Sequence, residues 1–205
     1  MLHSKFFRSL LVFGLLFWTQ AALAATDPQT LVMQTTEKVL AEIQAKKQDL
    51  TNNPAKIYPL VDEILLPRFD FNLISRLTLG DSWKSATDAE KQAFIKEFRE
   101  LLVRTYATAL LGYSGQKIDY LPTNAGSNAK KVKVKTKVKS AGSAAVPIDY
   151  SLYLGKSKQD WMVYDITIDG VSLVSTYRSN FSSQVRRNKL AGLISDLKEK
   201  NAQGK

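Results

Sequence analysis

The sequence predicts an α+β domain in which a curved antiparallel sheet of about four strands packs against several helices. The first half of the chain carries apolar residues at helical spacing, and its longest helical stretch opens with a capping box. From Gln116 onward, apolar and polar residues alternate in short runs separated by turn residues, which is typical of strands. These patterns leave open whether sheet and helices close on a solid core or leave an apolar cavity.

The first helices are indicated by caps and prolines. Asp27 and Pro28 have the residue types of an N-cap and a first helical position, so a helix is expected from there to about residue 50. A second helix is expected between Pro54 and Pro67, because proline is tolerated at a helix start and stops a helix elsewhere. A short third helix is expected over residues 73–77.

The longest helix follows a turn that is expected at residues 80–83. Thr87 and Glu90 have the spacing of a capping box, and the helix should run to about Leu111 before Gly112 ends it. Its apolar stripe at helical spacing includes Phe94, Phe98, Leu101 and Leu102.

The sheet is expected to be a meander. Residues 116–121, 130–139, 146–154 and 161–168 are the strand candidates, with turns at residues 140–145 and 155–160. The second candidate alternates lysine with mostly β-branched residues, the pattern of a half-buried strand. Its inward face and that of the third candidate carry Val132, Val134, Thr136, Val138, Val146, Ile148, Tyr150, Leu152 and Leu154.

Helical spacing returns after the sheet. Residues 171–185 are expected to form a helix that starts directly after Gly170, with Val171 and Val174 on its apolar face. A final helix is expected near residues 190–200.

The first 24 residues have the features of a secretory signal peptide. Lys5 and Arg8 precede an apolar core of about nine residues, and Ala22 and Ala24 place small residues before the expected cleavage site. No later segment approaches the roughly 20 apolar residues of a membrane span. Residues 25–205 are therefore expected to be a single exported domain.

Composition excludes several classes of chemistry. Without Lys5 and Arg8, 27 basic and 19 acidic residues remain, and this net charge of +8 suits anionic partners; export argues against nucleic acid. The chain has no cysteine, and its single histidine, His3, lies in the signal segment. Catalytic triads with histidine, cysteine nucleophiles and ordinary zinc sites are therefore excluded for the mature chain, and no catalytic or metal-binding residue is assigned.

Several short motifs follow one another along the chain. Residues 66–70 read Leu-Pro-Arg-Phe-Asp, residues 80–83 read Gly-Asp-Ser-Trp, and Phe94, Phe98 and Tyr106 follow. Residues 170–174 read Gly-Val-Ser-Leu-Val, and Tyr177, Arg178 and Phe181 come after them. Because these motifs stand in this order behind an expected signal peptide, the chain resembles the MlaC family, also called toluene-tolerance auxiliary proteins.

The resemblance implies a periplasmic carrier that shuttles phospholipid between the outer and inner membranes and so maintains the lipid asymmetry of the outer membrane. It implies a fold around a deep apolar pocket for acyl chains, with phospholipid as cargo and no cofactor. It also implies two partners, an outer-membrane lipoprotein complex and an inner-membrane ABC transporter with its substrate-binding ring. It implies no catalytic residues, and a monomer is expected.

The expected lipid-binding residues lie on the apolar faces of the predicted sheet and helices. Each of them is also a candidate for the ordinary core. The set comprises Leu73, Leu77, Phe94, Phe98, Leu101, Leu102, Val132, Val134, Val138, Ile148, Tyr150, Leu152, Val171, Leu173, Val174 and Tyr177.

Charged residues near the end of the sheet allow other interpretations. Asp165 and Asp169 are four residues apart, so on a strand their Cβ atoms are expected about 13 Å apart. This distance exceeds the roughly 5–9.5 Å between the carboxyl groups of catalytic pairs in glycosidases. We therefore expect a solvent-facing acid and a turn acid. Arg178 is expected either to bind a lipid phosphate in a bidentate manner or to form a buried ion pair with one of these acids.

Two further functions compete with the carrier. An exported module without catalysis could bind anionic surfaces through the charge of +8, and a less favoured reading is an exported hydrolase using Asp or Ser. The lysine row of residues 131–139 fits docking on an acidic partner or an anionic membrane. It fits equally well a second role, in which lysines on an exposed edge strand prevent its pairing with the edge of another sheet.

Overall fold

The computed structural model describes residues 26–123, 126, 129–155 and 160–203, so the expected signal peptide lies outside the described residues. Two 3₁₀ turns, Pro54–Lys56 and Leu66–Arg68, flank the third helix. The helices of this part of the chain are α1 (Pro28–Ala45), α2 (Lys47–Asn52), α3 (Ile57–Ile64), α4 (Phe71–Leu79), α5 (Asp81–Ser85), α6 (Asp88–Leu111) and α7 (Leu173–Gln203).

The sheet is an antiparallel meander in which each strand pairs with the next one along the chain. Its described strands are β1 (Lys117–Tyr120), β2 (Lys131–Lys139), β3 (Val146–Leu154), β4 (Trp161–Ile168) and β5 (Val171–Ser172). The register places Val134 opposite Tyr150, and a bulge interrupts the pairing between Ser151 and Leu152. The amide of Gly155 donates to the carbonyl of Asp160 at 2.7 Å, and the turn residues 156–159 lie outside the described residues.

The sheet therefore has one strand more than expected, and the prediction of a helix from residue 171 is wrong for its first two residues. Asp169 and Gly170 both have positive φ, 49° and 80°. An Asp-Gly pair with positive φ at both positions makes a tight hairpin turn, so the chain reverses and forms β5 beside β4. The helix starts only at Leu173.

The remaining boundaries differ in small ways from those expected. The first helix is interrupted at Lys46, so α1 and α2 replace one helix to residue 50. The turn expected at residues 80–83 is wrong, because Gly80 at φ 57° is followed directly by α5. Lys189 (φ 59°) breaks α7, in the gap expected between the two C-terminal helices.

The core consists of three clusters of buried side chains. One joins α4, α6 and α7, where Phe181 meets Phe94 and Phe98 edge-to-face at centroid distances of 5.8 and 5.3 Å. The second joins α1, α3 and α6. The third places Val32 of α1 against Val134 and the other inward residues of β2, β3 and β4. The helices thus pack on one another through the first two clusters, and α1 packs on the sheet through the third.

The capping box of α6 is formed as expected. Thr87 Oγ1 accepts from the amide of Glu90 at 3.2 Å, and Glu90 Oε2 accepts from the amide of Thr87 at 2.9 Å. The hydrogen bond from the Thr87 amide holds the pKa of Glu90 below its usual value. Both orphan amides are therefore satisfied at the start of the longest uninterrupted helix.

Thr87→Ala is expected to lower the free energy of unfolding by about 1 kcal/mol, because the Glu90 amide loses its acceptor. Urea unfolding followed by circular dichroism measures this. Ser85→Ala is the control, since the Ser85 hydroxyl donates only to the Ser82 carbonyl at 3.3 Å on the surface. Equal midpoints for the two variants would contradict a stabilising cap.

Candidate functional site

A cavity of about 510 Å³ lies among the helices and the inner face of the sheet. Side chains from α1, α3, α4, α6 and the start of α7 form one part of its wall, and strands β1 to β4 form the other. Most of the lining is aliphatic or aromatic. A volume within the usual 300–1,000 Å³ and an apolar wall are the properties of a site for an apolar ligand.

The wall follows from the periodicity of its elements. The lining residues of α6 recur three or four positions apart, which puts them on one broad helical face: Phe98, Leu102, Val103, Tyr106, Ala107, Ala109 and Leu110. On the sheet, alternation places Ile148 and Tyr150 of β3 on the same face as Ile166 and Ile168 of β4. A helical face and a sheet face thus oppose each other across the cavity.

The structure places half of the sixteen expected lipid-binding residues in this wall. Whether they contact lipid stays a prediction. The eight that line the cavity are Phe98, Leu102, Val138, Ile148, Tyr150, Leu173, Val174 and Tyr177.

The other eight do not line the cavity, for three different reasons. Some fill the clusters instead: Phe94, Leu101, Val134 and Leu152 are buried, and Val132 is partly buried against the third cluster. Leu73 and Leu77 are half-buried on α4, outside the lining. Val171 is 57% exposed on the edge strand β5. These eight residues therefore lie outside the cavity wall, and contact with lipid at these positions stays a prediction.

The pattern reasoning also missed the wall of the N-terminal helices. Leu31, Val32, Thr35 and Val39 of α1 line the cavity, as does Val61 of α3. The stripe on α1 was visible in the sequence, since Val32 and Val39 lie seven residues apart. Periodicity does not tell which helix covers the sheet, so the assignment required the tertiary structure.

Tyr150 and Tyr177 are two of the residues with polar groups that line the cavity. Burial raises the pKa of Tyr150 to about 12, and burial likewise raises the pKa of Tyr177 to about 12. Both hydroxyls therefore stay neutral at physiological pH. Neutral hydroxyls are compatible with hydrocarbon beside them, whereas an ionised phenolate would need water.

The elevated pKa of Tyr150 predicts a loss of stability in alkali. Below pH 10 the side chain is protonated in both states, so it has no effect on the pH dependence. Between pH 10 and 12 only the unfolded state loses the proton, and the free energy of unfolding should fall by an amount on the order of 2 kcal/mol. Urea unfolding at pH 10 and 12 measures this, and Tyr150→Phe should show a smaller fall; an equal fall in both proteins would contradict the assignment.

Asp165 is a helix-capping residue rather than part of an acid pair. The hydroxyl of Ser172 donates to its Oδ2 at 2.6 Å and the amide of Val174 donates to its Oδ1 at 3.1 Å. Asp169 lies in the exposed turn before β5. Asp165 is half-buried, so the solvent-facing position expected for it is wrong, whereas the turn position of Asp169 is confirmed.

Arg178 does not form the buried ion pair that was one of its two expected roles. It is exposed on α7, and its guanidinium lies against Gly80, 3.1 Å from where a Cβ would stand. Both carboxylate oxygens of Asp165 already accept from Ser172 and Val174. Arg178 is absent from the described lining, and a contact with lipid phosphate stays a prediction.

Comparison with known proteins now bears on this geometry. A family model described as "MlaC protein" matches residues 33–199. The chain belongs to the MlaC family.

Relatives and a solved structure extend over most of the chain. The intermembrane phospholipid transport system binding protein MlaC of Haemophilus influenzae is 26% identical over 186 residues, 90% of this chain and 87% of the relative. The toluene tolerance protein ttg2D of Pseudomonas putida is 29% identical over 166 residues, 80% and 76% of the two chains. A phospholipid-binding protein of Ralstonia solanacearum, solved in complex with a phospholipid, is 33% identical with a TM-score of 0.80, covering 87% of this chain and 99% of that one.

The motifs that carried the resemblance to MlaC have structural roles here. Asp70 ends the run of residues 66–70 and caps α4, because its Oδ1 accepts from the amide of Leu73 at 2.9 Å. Its Oδ2 accepts from the hydroxyl of Tyr153 on β3, which raises the pKa of Tyr153 to about 12. The Asp70 amide donates to the carbonyl of Val163 at 3.0 Å. This MlaC motif thus fixes α4 against the sheet.

The lysine row of β2 lies on an inner strand, between β1 and β3. The interpretation as protection of an exposed edge is therefore wrong, because edge pairing threatens only outer strands. Two of its lysines meet acids on neighbouring strands: Lys139 lies 2.5 Å from Asp119, and Lys133 lies 4.0 Å from Asp149. Docking on an anionic partner stays a prediction.

The described residues offer neither a membrane-spanning helix nor a cluster of metal ligands. Within the described ranges, no helix is both long and apolar enough to cross a membrane. The same ranges contain no group of three or more acidic, histidine or cysteine side chains that could hold a metal ion.

Proposed function

We propose that this protein carries phospholipid through the periplasm between the outer and inner membranes and thereby maintains outer-membrane lipid asymmetry. The observation that carries the proposal is the apolar cavity of about 510 Å³ in a member of the MlaC family. The phospholipid complex of the Ralstonia solanacearum protein, which covers 87% of this chain, supports the same cargo.

The energetics of lipid transfer explain why a carrier needs such a cavity. Two acyl chains contain about thirty methylenes, and exposing them to water costs roughly 20–25 kcal/mol at about 0.8 kcal/mol each. A wall about as apolar as the bilayer brings the free energy of transfer near zero. Both loading and unloading then become possible, and a head group at the cavity mouth can stay hydrated.

Location and partners belong to the same proposal. The signal peptide expected at residues 1–24 would export the chain to the periplasm. A carrier with near-zero transfer energy has no direction of its own, so a powered partner must supply it. We propose an inner-membrane ABC transporter with its substrate-binding ring and an outer-membrane lipoprotein complex as the two docking partners of a monomeric, cofactor-free carrier. The name of the Haemophilus influenzae relative, a binding protein of an intermembrane phospholipid transport system, supports this.

A transfer assay tests carriage directly. Donor vesicles with fluorescent phospholipid and unlabelled acceptor vesicles are held apart by a membrane that passes protein but not vesicles. The protein is expected to increase the label reaching the acceptors in proportion to its concentration. A rate equal to that of the protein-free control would contradict the proposal.

Binding to anionic surfaces is the second candidate, and the exposed lysine row of β2 favours it. Salt screens the attraction between exposed charges. Burial of acyl chains in an apolar cavity does not depend on charge, so salt should not release that lipid. Phospholipid content that survives washing at about 1 M salt would support carriage, and content that is lost would support surface binding.

Lys133→Glu separates these two functions within one variant. Lys133 is exposed on β2 and does not line the cavity, so phospholipid per protein should equal that of the unmodified chain. The substitution should at most weaken docking on anionic vesicles in a flotation assay. A variant that is folded but empty would contradict the assignment of the lysine row to the outer face.

A further inference from the structure

Arg68 is the one cationic residue among the described residues that line the cavity. It is half-buried and ends the 3₁₀ turn Leu66–Arg68. Its guanidinium makes no hydrogen bond and no ion pair with any described residue. The one acidic residue of the described lining, Asp165, has both carboxylate oxygens occupied by Ser172 and Val174. The positive charge at the cavity wall therefore lacks a counterion within the described chain.

The backbone around Arg68 is held in place. The ring of Pro67, inside the same 3₁₀ turn, fixes the φ angle of that residue, and the amide of Phe69 donates to the carbonyl of Leu66 at 3.1 Å. Phe69 also forms a parallel bridge with Val163 of β4. Leu66 and Phe69 line the cavity on either side of Arg68, and the Arg68 side chain is only half-buried. A cation that lies in the apolar wall and also reaches solvent suits the head group of a lipid whose chains are buried.

We propose that the guanidinium of Arg68 binds the phosphodiester group of a phospholipid held in the cavity, and that this contact selects cargo that carries a phosphate. The inference rests on the proposed function of phospholipid carriage. A guanidinium presents paired N–H donors whose spacing matches two phosphate oxygens, and such charge-assisted pairs are about twice as strong as neutral hydrogen bonds. A neutral lipid with the same chains would leave Arg68 without an acceptor.

Competition between two lipids with identical chains tests this selection. Delipidated protein is mixed with detergent micelles that hold equal amounts of dioleoylphosphatidylglycerol and dioleoylglycerol, and native mass spectrometry gives the ratio bound. We expect the unmodified chain to prefer the phosphate-bearing lipid by roughly tenfold. Arg68→Gln should bind both lipids about equally. The preference of Arg68→Lys should lie between those of the unmodified chain and Arg68→Gln, because lysine keeps the charge but lacks the paired N–H donors.

Arg187→Gln is the matched control, because Arg187 is exposed on α7 and does not line the cavity. It should keep the ratio of the unmodified chain. The inference is overturned if Arg68→Gln also keeps that ratio. If the unmodified chain takes up neither lipid, the proposed function itself fails, which is a different result from uptake without selection.

A second arm distinguishes a lipid head group from free phosphate. Delipidated protein is titrated with inorganic phosphate in a calorimeter, and we expect no saturable binding, because the contact depends on chains held in the cavity. Saturable binding that Arg68→Gln abolishes, without any preference between the two lipids, would assign Arg68 to free phosphate and overturn the proposal. If the glutamine variant is unstable, Arg68→Lys replaces it, and a lipid preference reduced below that of the unmodified chain is then expected; an unchanged preference would overturn the proposal.

Discussion

Val134→Asp is expected to prevent folding. Val134 is completely buried on β2 and belongs to the cluster in which Val32 of α1 meets Leu152 and Val163 of the sheet. A carboxylate there would have to be ionised without a partner or protonated without an acceptor, and either state costs several kcal/mol. Because a domain of this size has only about 5–15 kcal/mol of net stability, the variant should be largely unfolded by circular dichroism at 25 °C.

Lys135→Asp is the control for that result. It introduces the same side chain at the next residue of β2, where the lysine is exposed. Alternation along the strand places it on the opposite face, so the fold should persist. A cooperative melting transition near that of the unmodified chain in Val134→Asp would show that the assigned faces of the sheet are wrong.

Leu102→Asp is expected to empty the cavity without unfolding the protein. Leu102 is half-buried on α6 and lines the cavity, so an aspartate can reach water while placing its charge beside the path of an acyl chain. The phospholipid recovered per protein should fall about tenfold or more, because desolvating a carboxylate against hydrocarbon is costly. Phosphorus assay of solvent extracts measures the loss, and circular dichroism verifies the fold.

Leu77→Asp makes the same exchange outside the wall. Leu77 is a half-buried leucine of α4 that does not line the cavity, so its variant should retain lipid. Full lipid content in folded Leu102→Asp would contradict the location of the binding site. Equal loss in both variants would show that a general loss of stability empties the protein.

The elements that the sequence predicted well are those whose signal is local. The alternation of lysine and valine on β2 predicted both its face and its burial, because one side of that strand meets water and the other meets the core. The capping box of Thr87 and Glu90 set the start of α6 for the same local reason. Asp169 and Gly170 carried an equally local hairpin signal, and β5 could have been predicted from it.

The cavity could be predicted only in outline, because its wall depends on how separate elements meet. Phe94 and Phe98 share one stripe of α6 and both belong to the cluster with α7, yet Phe98 also lines the cavity and Phe94 does not. Periodicity assigns a face to a residue but not a depth. Whether Arg68 has an ion-pair partner likewise depends on which acids fold near it, and the carboxylate of Asp165 already accepts from Ser172 of β5 and Val174 of α7.

Native mass spectrometry of the purified protein tests the central claim most directly, because bound mass identifies cargo without assuming a partner. The spectrum is expected to show protein with added mass equal to whole phospholipid molecules, which are released intact on collisional activation. Mass equal to the bare chain, both as purified and after incubation with phospholipid vesicles, would contradict phospholipid carriage.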